Sequence, residues 1–181
     1  MIYFITSNRH KYEEIKKAID FEIEMLTISY PEIQAESLEE VAKYGIEYLI
    51  DKVNGDFFIE DSGLFIKALN GFPGVYSSYV FKTIGNEGIL KLMEKVEDRE
   101  AEFQSVIAFY DGDINIFKGI CKGKISKEIK GNRGFGYDPI FIPEGSDKTF
   151  GEMEREEKNK FSHRGKAVKK FADYIKMREF Y

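Results

Sequence analysis

The first third of the chain alternates between short apolar runs and segments with helical spacing. Residues 2–6 form an apolar run that indicates a buried strand, and polar residues suited to starting a helix follow it directly. Apolar residues three to four positions apart predict a helix over about residues 10–20, and a second strand is expected over 23–28. Ser37 and Glu40 form a capping-box pattern. The apolar face of the helix that it opens consists of Leu38, Val41, Ala42 and Leu49.

The rest of the chain is predicted to contain a long antiparallel strand pair and a closing helix. An apolar run at 57–59 indicates a short strand that ends where acidic residues begin, and alternation over 103–109 predicts a longer strand. An Asp-Gly turn at 111–112 leads into a further strand over 114–121, and 165–177 has the pattern of an amphipathic helix. Because strands and helices alternate early and an antiparallel pair follows, the fold class is predicted to be α/β with a mixed sheet.

The composition narrows the possible functions. With 181 residues, 43% of them hydrophobic, the chain suits one domain or one domain with two lobes. Its 27 basic and 32 acidic residues give a net charge of −5, so we expect no nucleic-acid partner, although a local basic pocket can still bind a small anion. Cys121 is the single cysteine, which excludes an intramolecular disulfide and favours a cytoplasmic location. The apolar start at 1–5 is too short to span a membrane, so no membrane partner is expected.

The first candidate site is the junction between the first strand and the first helix. The N–H groups and positive dipole end of a helix N-terminus attract anions, and Lys11 adds a mobile charge that suits phosphate. Ser and Asn are also ordinary helix caps, so a purely structural role fits this stretch equally well. The stretch consists of Thr6, Ser7, Asn8, Arg9, His10 and Lys11.

The second candidate site is the acidic pair Glu60 and Asp61, which Ser62 and Gly63 follow. Two carboxylates at the end of a buried strand are accessible to ligands, and Mg²⁺ is usually held by one or two carboxylates together with substrate phosphates. The alternative is a capped Asp-Ser-Gly turn that serves only the fold. Taken in isolation, the structural alternative is favoured.

Two later stretches combine polar and aromatic groups in ways that suit ligand binding. Glycines beside aromatic residues at 134–139 let the backbone approach a flat ligand on which a ring stacks, although such aromatics can also belong to the core. Within 157–165, Ser162, His163 and Arg164 place donors just before the last helix, although a charged run is usually a solvated surface. A nucleophilic Ser–His reading is rejected, because neighbours in sequence cannot align with a third, orienting group.

Taken together and in this order, these stretches resemble the inosine triphosphate pyrophosphatase family, whose members remove non-standard purine nucleotides. A Phe-Pro-Gly-Val-Tyr-Ser motif at 72–77 adds to the resemblance, which extends from residue 6 to the final helix. The resemblance implies an α/β, elongated two-lobed fold with a long central mixed β-sheet flanked by helices, in one domain over residues 1–181. It also implies a cleft between the lobes, a homodimer, and Mg²⁺-dependent hydrolysis of ITP, dITP and XTP to the monophosphate and pyrophosphate.

The resemblance also implies a role for each matching residue. Residues 6–11 would cradle the triphosphate, and Ser62 would touch the substrate. Asp61 would bind Mg²⁺ and accept a proton from the attacking water, with Glu32 as a second metal ligand. The base and sugar would be held by Phe135, Gly136, Tyr137, Asp138, Lys158, His163 and Arg164.

Some alternatives stay open at this point. Many family members carry a phosphate-binding lysine on the helix before the acidic motif, but the segment 41–45 contains only Lys43 in a different pattern, so that lysine is not assigned. An enzyme for pyrimidine or methylated nucleotides would share the phosphate chemistry but lack the segment 162–164. A non-catalytic nucleotide-binding module would not need paired acids. The aromatic segment 72–79 is interpreted as part of a dimer interface, with cleft lining or core as alternatives.

Overall fold

The computed structural model describes residues 1–178 of the chain, and a six-stranded sheet forms the centre of this part. The strands are β1 (Ile2–Ile5), β2 (Ile23–Leu26), β3 (Phe57–Ile66), β4 (Glu100–Tyr110), β5 (Ile114–Ile125) and β6 (Phe141–Pro143). Their spatial order is β2-β1-β3-β4-β5-β6. Strand β1 pairs in parallel with β2 and β3, whereas the remaining neighbours are antiparallel. The predicted α/β class with a central mixed sheet is therefore confirmed.

Helices flank this sheet on both faces. They are α1 (Arg9–Ala18), α2 (Leu38–Leu49), α3 (Ser77–Thr83), α4 (Gly85–Leu92), α5 (Arg155–Phe161) and α6 (His163–Arg178). Short 3-10 helices occur at Lys67–Leu69, Gly74–Tyr76, Asp138–Ile140 and Phe150–Glu152. Ser37 caps α2 as predicted, since its Oγ accepts a hydrogen bond from the N–H of Glu40 at 3.3 Å. Among residues 1–178, no helix is both long and apolar enough to cross a membrane.

The acidic pair lies in the middle of β3, so the prediction of a short strand that ends at Glu60 was wrong. Strand β3 runs between β1 and β4, and it continues to Ile66 because Ser62 and Gly63 stay paired with β4 beyond the charges. The charges do not end the strand, because cations from other elements compensate them. Gly63 is needed here, since the carbonyl oxygen of Gly74 occupies the space that a Cβ would fill.

The other predicted elements are present, and some of their ends are shifted. Strand β2 stops at Leu26, and β5 continues to Ile125 instead of ending near residue 121. Helix α6 begins at His163, two residues earlier than predicted, so most of the Ser-His-Arg segment lies inside the helix rather than before it. The Asp-Gly turn between β4 and β5 is confirmed, with a φ of 112° at Gly112.

Alternate residues of the central strands contribute to separate cores, as the period of a strand requires. Phe58 and Phe109 pack with side chains of α1 and α6, whereas Ile59 and Ala108 pack with α2 on the opposite face. A third cluster, which includes Phe103, joins the far parts of β3, β4 and β5 to α3 and α4. The candidate site adjoins the cluster that contains Phe103 and the one under α2.

Candidate active site

A cleft of about 750 Å³ opens beside the acidic pair of β3. Every residue to which the sequence analysis gave a substrate or metal role lines this cleft. These residues are Thr6, Ser7, Asn8, Arg9, His10, Lys11, Glu32, Asp61, Ser62, Phe135, Gly136, Tyr137, Asp138, Lys158, His163 and Arg164. The fold therefore brings together stretches that are far apart in the sequence.

One wall of the cleft is the turn between β1 and α1. Thr6 Oγ1 accepts a hydrogen bond from the N–H of Asn8 at 3.0 Å, and Asn8 Oδ1 accepts one from the N–H of Lys11 at 3.1 Å. These bonds hold the first turn of α1 at the cleft, where the positive end of the helix dipole favours anions. Thr6 and Asn8 can therefore cap the helix while the turn that they shape binds an anion, so the two roles are compatible.

Glu60 and Asp61 point to opposite faces of the sheet, because successive side chains of a strand alternate. Glu60 shares its face with the core under α1 and α6, where Lys11 Nζ lies 3.0 Å from its Oε2 and Ser105 Oγ donates to its Oε1 at 2.6 Å. Burial raises the pKa of Glu60, but Arg164 and then Lys11 outweigh that effect and lower it to about 2. Glu60 is therefore an ionised structural anchor for the cations around it.

Asp61 has a different environment on the other face. It is buried, and its Oδ2 has no hydrogen-bond partner in the described part of the chain. The pKa of Asp61 is raised from 3.8 to about 7, mainly by burial; Lys11 opposes the rise, and the charges of Glu32 and Glu60 add to it. The Tyr30 ring lines the same part of the cleft. Glu60 Oε2 also lacks a hydrogen bond, but Lys11 forms an ion pair with it, so Asp61 is the carboxylate of this pair without an ion-pair partner in the described residues.

The acidic residues beside Asp61 fit a Mg²⁺ ion that also contacts phosphate. Within residues 1–178, no three acidic, histidine or cysteine side chains form a group that could hold a metal by themselves. Mg²⁺ does not require such a group, since it usually takes one or two carboxylates plus substrate oxygens. Asp61 supplies a buried unpaired oxygen, and Glu32 is close enough to raise its pKa.

On the α6 side of the cleft, a buried carboxylate joins two cations. Glu14 of α1 accepts from Lys158 Nζ at 2.6 Å through one oxygen and from Arg164 Nη1 at 2.6 Å through the other. Lys158 Nζ also lies 2.7 Å from Asp138 Oδ2. Burial raises the pKa of Glu14, but Arg164 and Lys158 outweigh it, so the pKa is lowered and the carboxylate stays ionised. This network fixes both cations.

The remaining donors of Arg164 reach toward β3. Its Nη2 donates to Ser62 Oγ at 3.0 Å and lies 3.5 Å from Glu60 Oε1, and its buried Nε has no partner in the described residues. Burial lowers the pKa of Arg164, but Glu60 and Glu14 raise it above its ordinary value. Arg164 is therefore a permanently charged donor at the cleft, held from two sides.

His163 is buried at the start of α6. Its ring stacks on Phe103 with the ring centroids 4.5 Å apart, and its Nδ1 finds no partner within residues 1–178. Burial lowers the pKa of His163 far below 6.5, and Arg164 and Lys158 lower it further. The imidazole is neutral at pH 7, so one of its nitrogens can accept a hydrogen bond.

The glycine-rich loop holds Phe135 at the cleft. Gly134 and Gly136 have φ values of 69° and 60°, a conformation that glycine adopts without strain. The N–H of Phe135 donates to Asp138 Oδ2 at 3.0 Å. Tyr137 is buried, and its hydroxyl donates to the carbonyl of Ser77 at 2.6 Å, so its polar end is engaged within the protein.

The sequence analysis gave no role to Glu14, which holds two cations of the cleft, or to Tyr30 and Lys82, which line it. Glu14 is one turn beyond Lys11 and next to a buried isoleucine, which is the only local signal of its burial. The Tyr30 ring packs against Gly45 of α2, where an added Cβ would lie 3.0 Å from the ring. Lys82 of α3 lines the cleft, whereas Lys43 does not, so the helix lysine that was left unassigned has no counterpart at Lys43.

Comparison with known proteins identifies the family of this chain. A model of the Ham1 family matches residues 2–174. The chain belongs to the Ham1 family. A Pyrococcus horikoshii relative named dITP/XTP pyrophosphatase is 59% identical over 180 residues, which cover 97% of each chain. A Thermococcus kodakarensis relative of the same name is 56% identical over 176 residues, which cover 96% of each chain.

The Ham1 assignment also agrees with the fold. The structure of the Staphylococcus aureus Ham1 protein is similar to this one with a TM-score of 0.86, at 29% sequence identity and with 98% of each chain covered. The overall fold is thus shared with a solved Ham1 protein. The resemblance that was inferred from the sequence motifs is confirmed at the level of the family.

Proposed function

We propose that this chain hydrolyses dITP, ITP and XTP to the nucleoside monophosphate and pyrophosphate. Ham1 relatives that are 56% and 59% identical are named dITP/XTP pyrophosphatase. The observation that carries the proposal is the state of Asp61, a buried carboxylate with an unpaired oxygen in the same cleft as Lys11 and the N-terminus of α1. Groups that bind a polyanion and a group that can accept a proton thus line the same cleft.

The triphosphate is proposed to bind along the turn between β1 and α1. The first-turn N–H groups of α1 and the Nζ of Lys11 are donors and carry positive charge, which suits phosphate oxygens. Lys11 is already held near Glu60, whose carboxylate lies 3.0 Å from its Nζ. Lys11 is therefore positioned before the substrate arrives, which reduces the cost of ordering it.

Asp61 is proposed to accept the proton of the water that attacks the α-phosphorus. A general base has to reach the water that it activates, and Asp61 has a buried oxygen without a hydrogen-bond partner in the described residues at the cleft. Such a positioned base contributes about 10²–10⁴-fold to the rate. Water provides the new oxygen of the monophosphate and pyrophosphate leaves, so no side chain has to act as a nucleophile.

Asp61 and Glu32 would hold Mg²⁺, which when bound supplies charge neutralisation at the phosphate oxygens. Glu60 is not counted as a ligand, because Ser105 and Lys11 already occupy its oxygens at 2.6 and 3.0 Å. Among the carboxylates that line the cleft, Asp61 and Glu32 are the two without an ion-pair partner in the described part of the chain.

Lys158 and Arg164 are proposed to read the 6-carbonyl of the base. An ammonium has three donors and a guanidinium has five. Glu14 and Asp138 use two donors of Lys158, and the Nε of Arg164 is unpaired, so each residue keeps a donor for the substrate. Adenine presents an amino group at position 6, which meets these groups donor to donor. A site of this kind rejects the mismatched base by about 10⁴-fold or more.

The 6-carbonyl does not distinguish GTP from ITP, since guanine has the same carbonyl. Rejection of GTP has to come from its 2-amino group, through tight packing or the lack of an acceptor near the backbone of 135–137. The expected order of kcat/KM is therefore ITP and XTP far above GTP and ATP.

Hydrolysis of ITP in ¹⁸O-labelled water with Mg²⁺ tests the proposed reaction. Phosphorus NMR should show only IMP and pyrophosphate, with the label in IMP. Label in pyrophosphate would mean attack at the β-phosphorus, and IDP with orthophosphate would mean attack at the γ-phosphorus. Either result contradicts the proposed mechanism.

Parallel assays with ATP and dUTP test the substrate class. Equal kcat/KM for ITP and ATP would contradict the base-reading role, and faster turnover of dUTP would favour a pyrimidine enzyme. Nucleotide binding without any turnover would favour a non-catalytic module. Arg164→Ala should narrow the gap between ITP and ATP, mainly because ITP turnover falls.

We also propose a homodimer that works in the cytoplasm, with one domain in two lobes. The segment 72–79 supports the dimer, because Phe72, Tyr76 and Tyr79 are 39%, 44% and 71% exposed. The separate core cluster around Phe103 supports a second lobe. Cys121 is a buried free thiol rather than half of a disulfide, which suits a reducing compartment. Light scattering at micromolar concentration should give twice the chain mass of 21.0 kDa, and a mass of one chain would contradict the dimer.

A further inference from the structure

The imidazole of His10 extends from the turn between β1 and α1 and contacts the glycine-rich loop. It lies in the first turn of α1, and its imidazole stacks on Phe135 with the ring centroids 5.2 Å apart and the planes inclined by 20°. Both rings line the cleft. This stack is the contact that the structure gives for the His10 imidazole within residues 1–178, and the side chain is otherwise exposed.

The two rings of this stack are held very differently. Two hydrogen bonds fix the backbone around Phe135. The N–H of Phe135 donates to Asp138 Oδ2 at 3.0 Å, and Asn86 Nδ2 donates to the carbonyl of the next residue, Gly136, at 3.0 Å. The imidazole of His10 has no comparable bonds. Phe135 is therefore a fixed platform, and His10 is a cover that can rotate away from it.

A flat ring that enters a stack needs about 3.5 Å on each side, so two rings that enclose a base are roughly 7 Å apart. At 5.2 Å, the imidazole of His10 covers the face of Phe135 and leaves no room between them. We propose that the purine ring inserts between Phe135 and His10, and that the imidazole moves out by roughly 2 Å and stacks on the outer face of the base. This inference rests on the proposed function and moves His10 from the triphosphate to the base.

Stacking of this kind contributes affinity but not base selectivity, because every base has a π-face. Loss of the imidazole should therefore weaken binding of ITP and ATP by the same factor, and the ratio of their kcat/KM values should not change. The expected factor is about 5- to 140-fold, the range measured when a ring that stacks on a base is replaced by alanine.

The test compares a ligand that has a base with one that does not. Calorimetry in Mg²⁺ buffer measures the Kd of the α,β-methylene analogue of ITP, which is not cleaved, and the Kd of inorganic tripolyphosphate. His10→Ala should weaken the nucleotide analogue by the factor above and leave tripolyphosphate binding unchanged. His10→Phe, which retains a ring, should restore nucleotide binding. Lys17→Ala, at the exposed end of α1, is the matched control and should change neither Kd.

Three outcomes overturn the inference. A loss of tripolyphosphate affinity in His10→Ala would return His10 to the phosphates, unchanged binding of both ligands would remove it from the site, and failure of His10→Phe to restore binding would exclude stacking. These results are distinguishable from failure of the proposed function, because the ¹⁸O experiment measures the reaction of the unmodified protein and the titrations involve no turnover.

Discussion

Replacement of Glu14 by glutamine should strongly destabilise the protein, although the two side chains have almost the same shape. Each carboxylate oxygen of Glu14 binds one buried cation, Lys158 or Arg164, at 2.6 Å. Glutamine removes the negative charge and places an amide N–H₂ against one of these cations, donor to donor. The change therefore leaves buried positive charge with less compensation.

The structure sets the expected size of the effect. Removal of one partner of a buried ion pair costs about 3–5 kcal/mol. Asp138 still binds Lys158 at 2.7 Å and Glu60 lies 3.5 Å from Arg164, so we expect the lower part of that range, about 3–4 kcal/mol. In a domain of this size 1 kcal/mol shifts Tm by about 2–4 °C, which gives a decrease of roughly 6–16 °C.

Glu13→Gln is the matched control, because Glu13 is the adjacent glutamate of the same helix. Its ion pair with Arg9 is 3.2 Å long, with 75% of the Arg9 side chain and 30% of the Glu13 side chain exposed to solvent. Loss of an exposed pair costs less than about 1 kcal/mol, so Tm should fall by less than about 4 °C. Thermal unfolding followed by circular dichroism at pH 7 measures both variants. Equal decreases for the two variants would refute the argument from burial.

The pH dependence of the Glu14 effect has a defined sign. Although burial raises the pKa of Glu14, Arg164 and Lys158 hold it below the ordinary value of 4.5. The carboxylate therefore stabilises the fold fully above pH 4.5, and this contribution is lost as the pH falls toward the lowered pKa. The difference in Tm between the unmodified protein and Glu14→Gln should shrink below pH 4.5. A difference that grows on acidification would contradict an ionised Glu14.

Asp61→Asn should lower kcat by at least about 10²-fold in a folded protein, and near-normal turnover would exclude Asp61 as the base. At pH 8 in EDTA the same variant should have a higher Tm than the unmodified protein. Burial raises the pKa of Asp61 from 3.8 to about 7, so ionising Asp61 in the folded protein costs free energy of folding. This cost begins above pH 3.8 and grows until the pH reaches the raised pKa. An unchanged Tm would contradict this argument. Lys11→Ala should raise the KM for ITP and weaken tripolyphosphate binding in calorimetric titrations, because a mobile cation beside the phosphates is lost; an unchanged Kd would exclude Lys11 from phosphate binding.

The parts of the fold that depend on local pattern could be predicted from the sequence. Strand β1, the capped helix α2 and the hairpin between β4 and β5 all follow from apolar periodicity or turn residues. The course of β3 could not be predicted in this way. An acidic pair ordinarily ends a buried strand, and the cations that allow it to continue, Lys11 and Arg164, come from α1 and α6.

Glu14 shows why the site was only partly predictable. It lies in a charged stretch of α1 that suggests a solvated surface, yet it is buried. Its partners Lys158 and Arg164 are 144 and 150 positions further along the chain, so no local pattern connects them. Lys11 was recognisable because its role depends on the helix N-terminus next to it, which is a local feature.

The charge balance of the cleft explains why Asp61, and not its neighbour Glu60, is available for a ligand. Among the cations that line the cleft, Lys11, Lys158 and Arg164 pair with buried carboxylates. The carboxylates that pair with them are Glu14, Glu60 and Asp138. This pairing leaves Asp61 and Glu32 as cleft carboxylates that make no ion pair in the part of the chain that the structure describes. Two uncompensated carboxylates repel a triphosphate unless a cation lies between them. Metal binding and phosphate binding at this cleft are therefore coupled, because the carboxylates that attract the metal are the groups that would otherwise exclude the substrate.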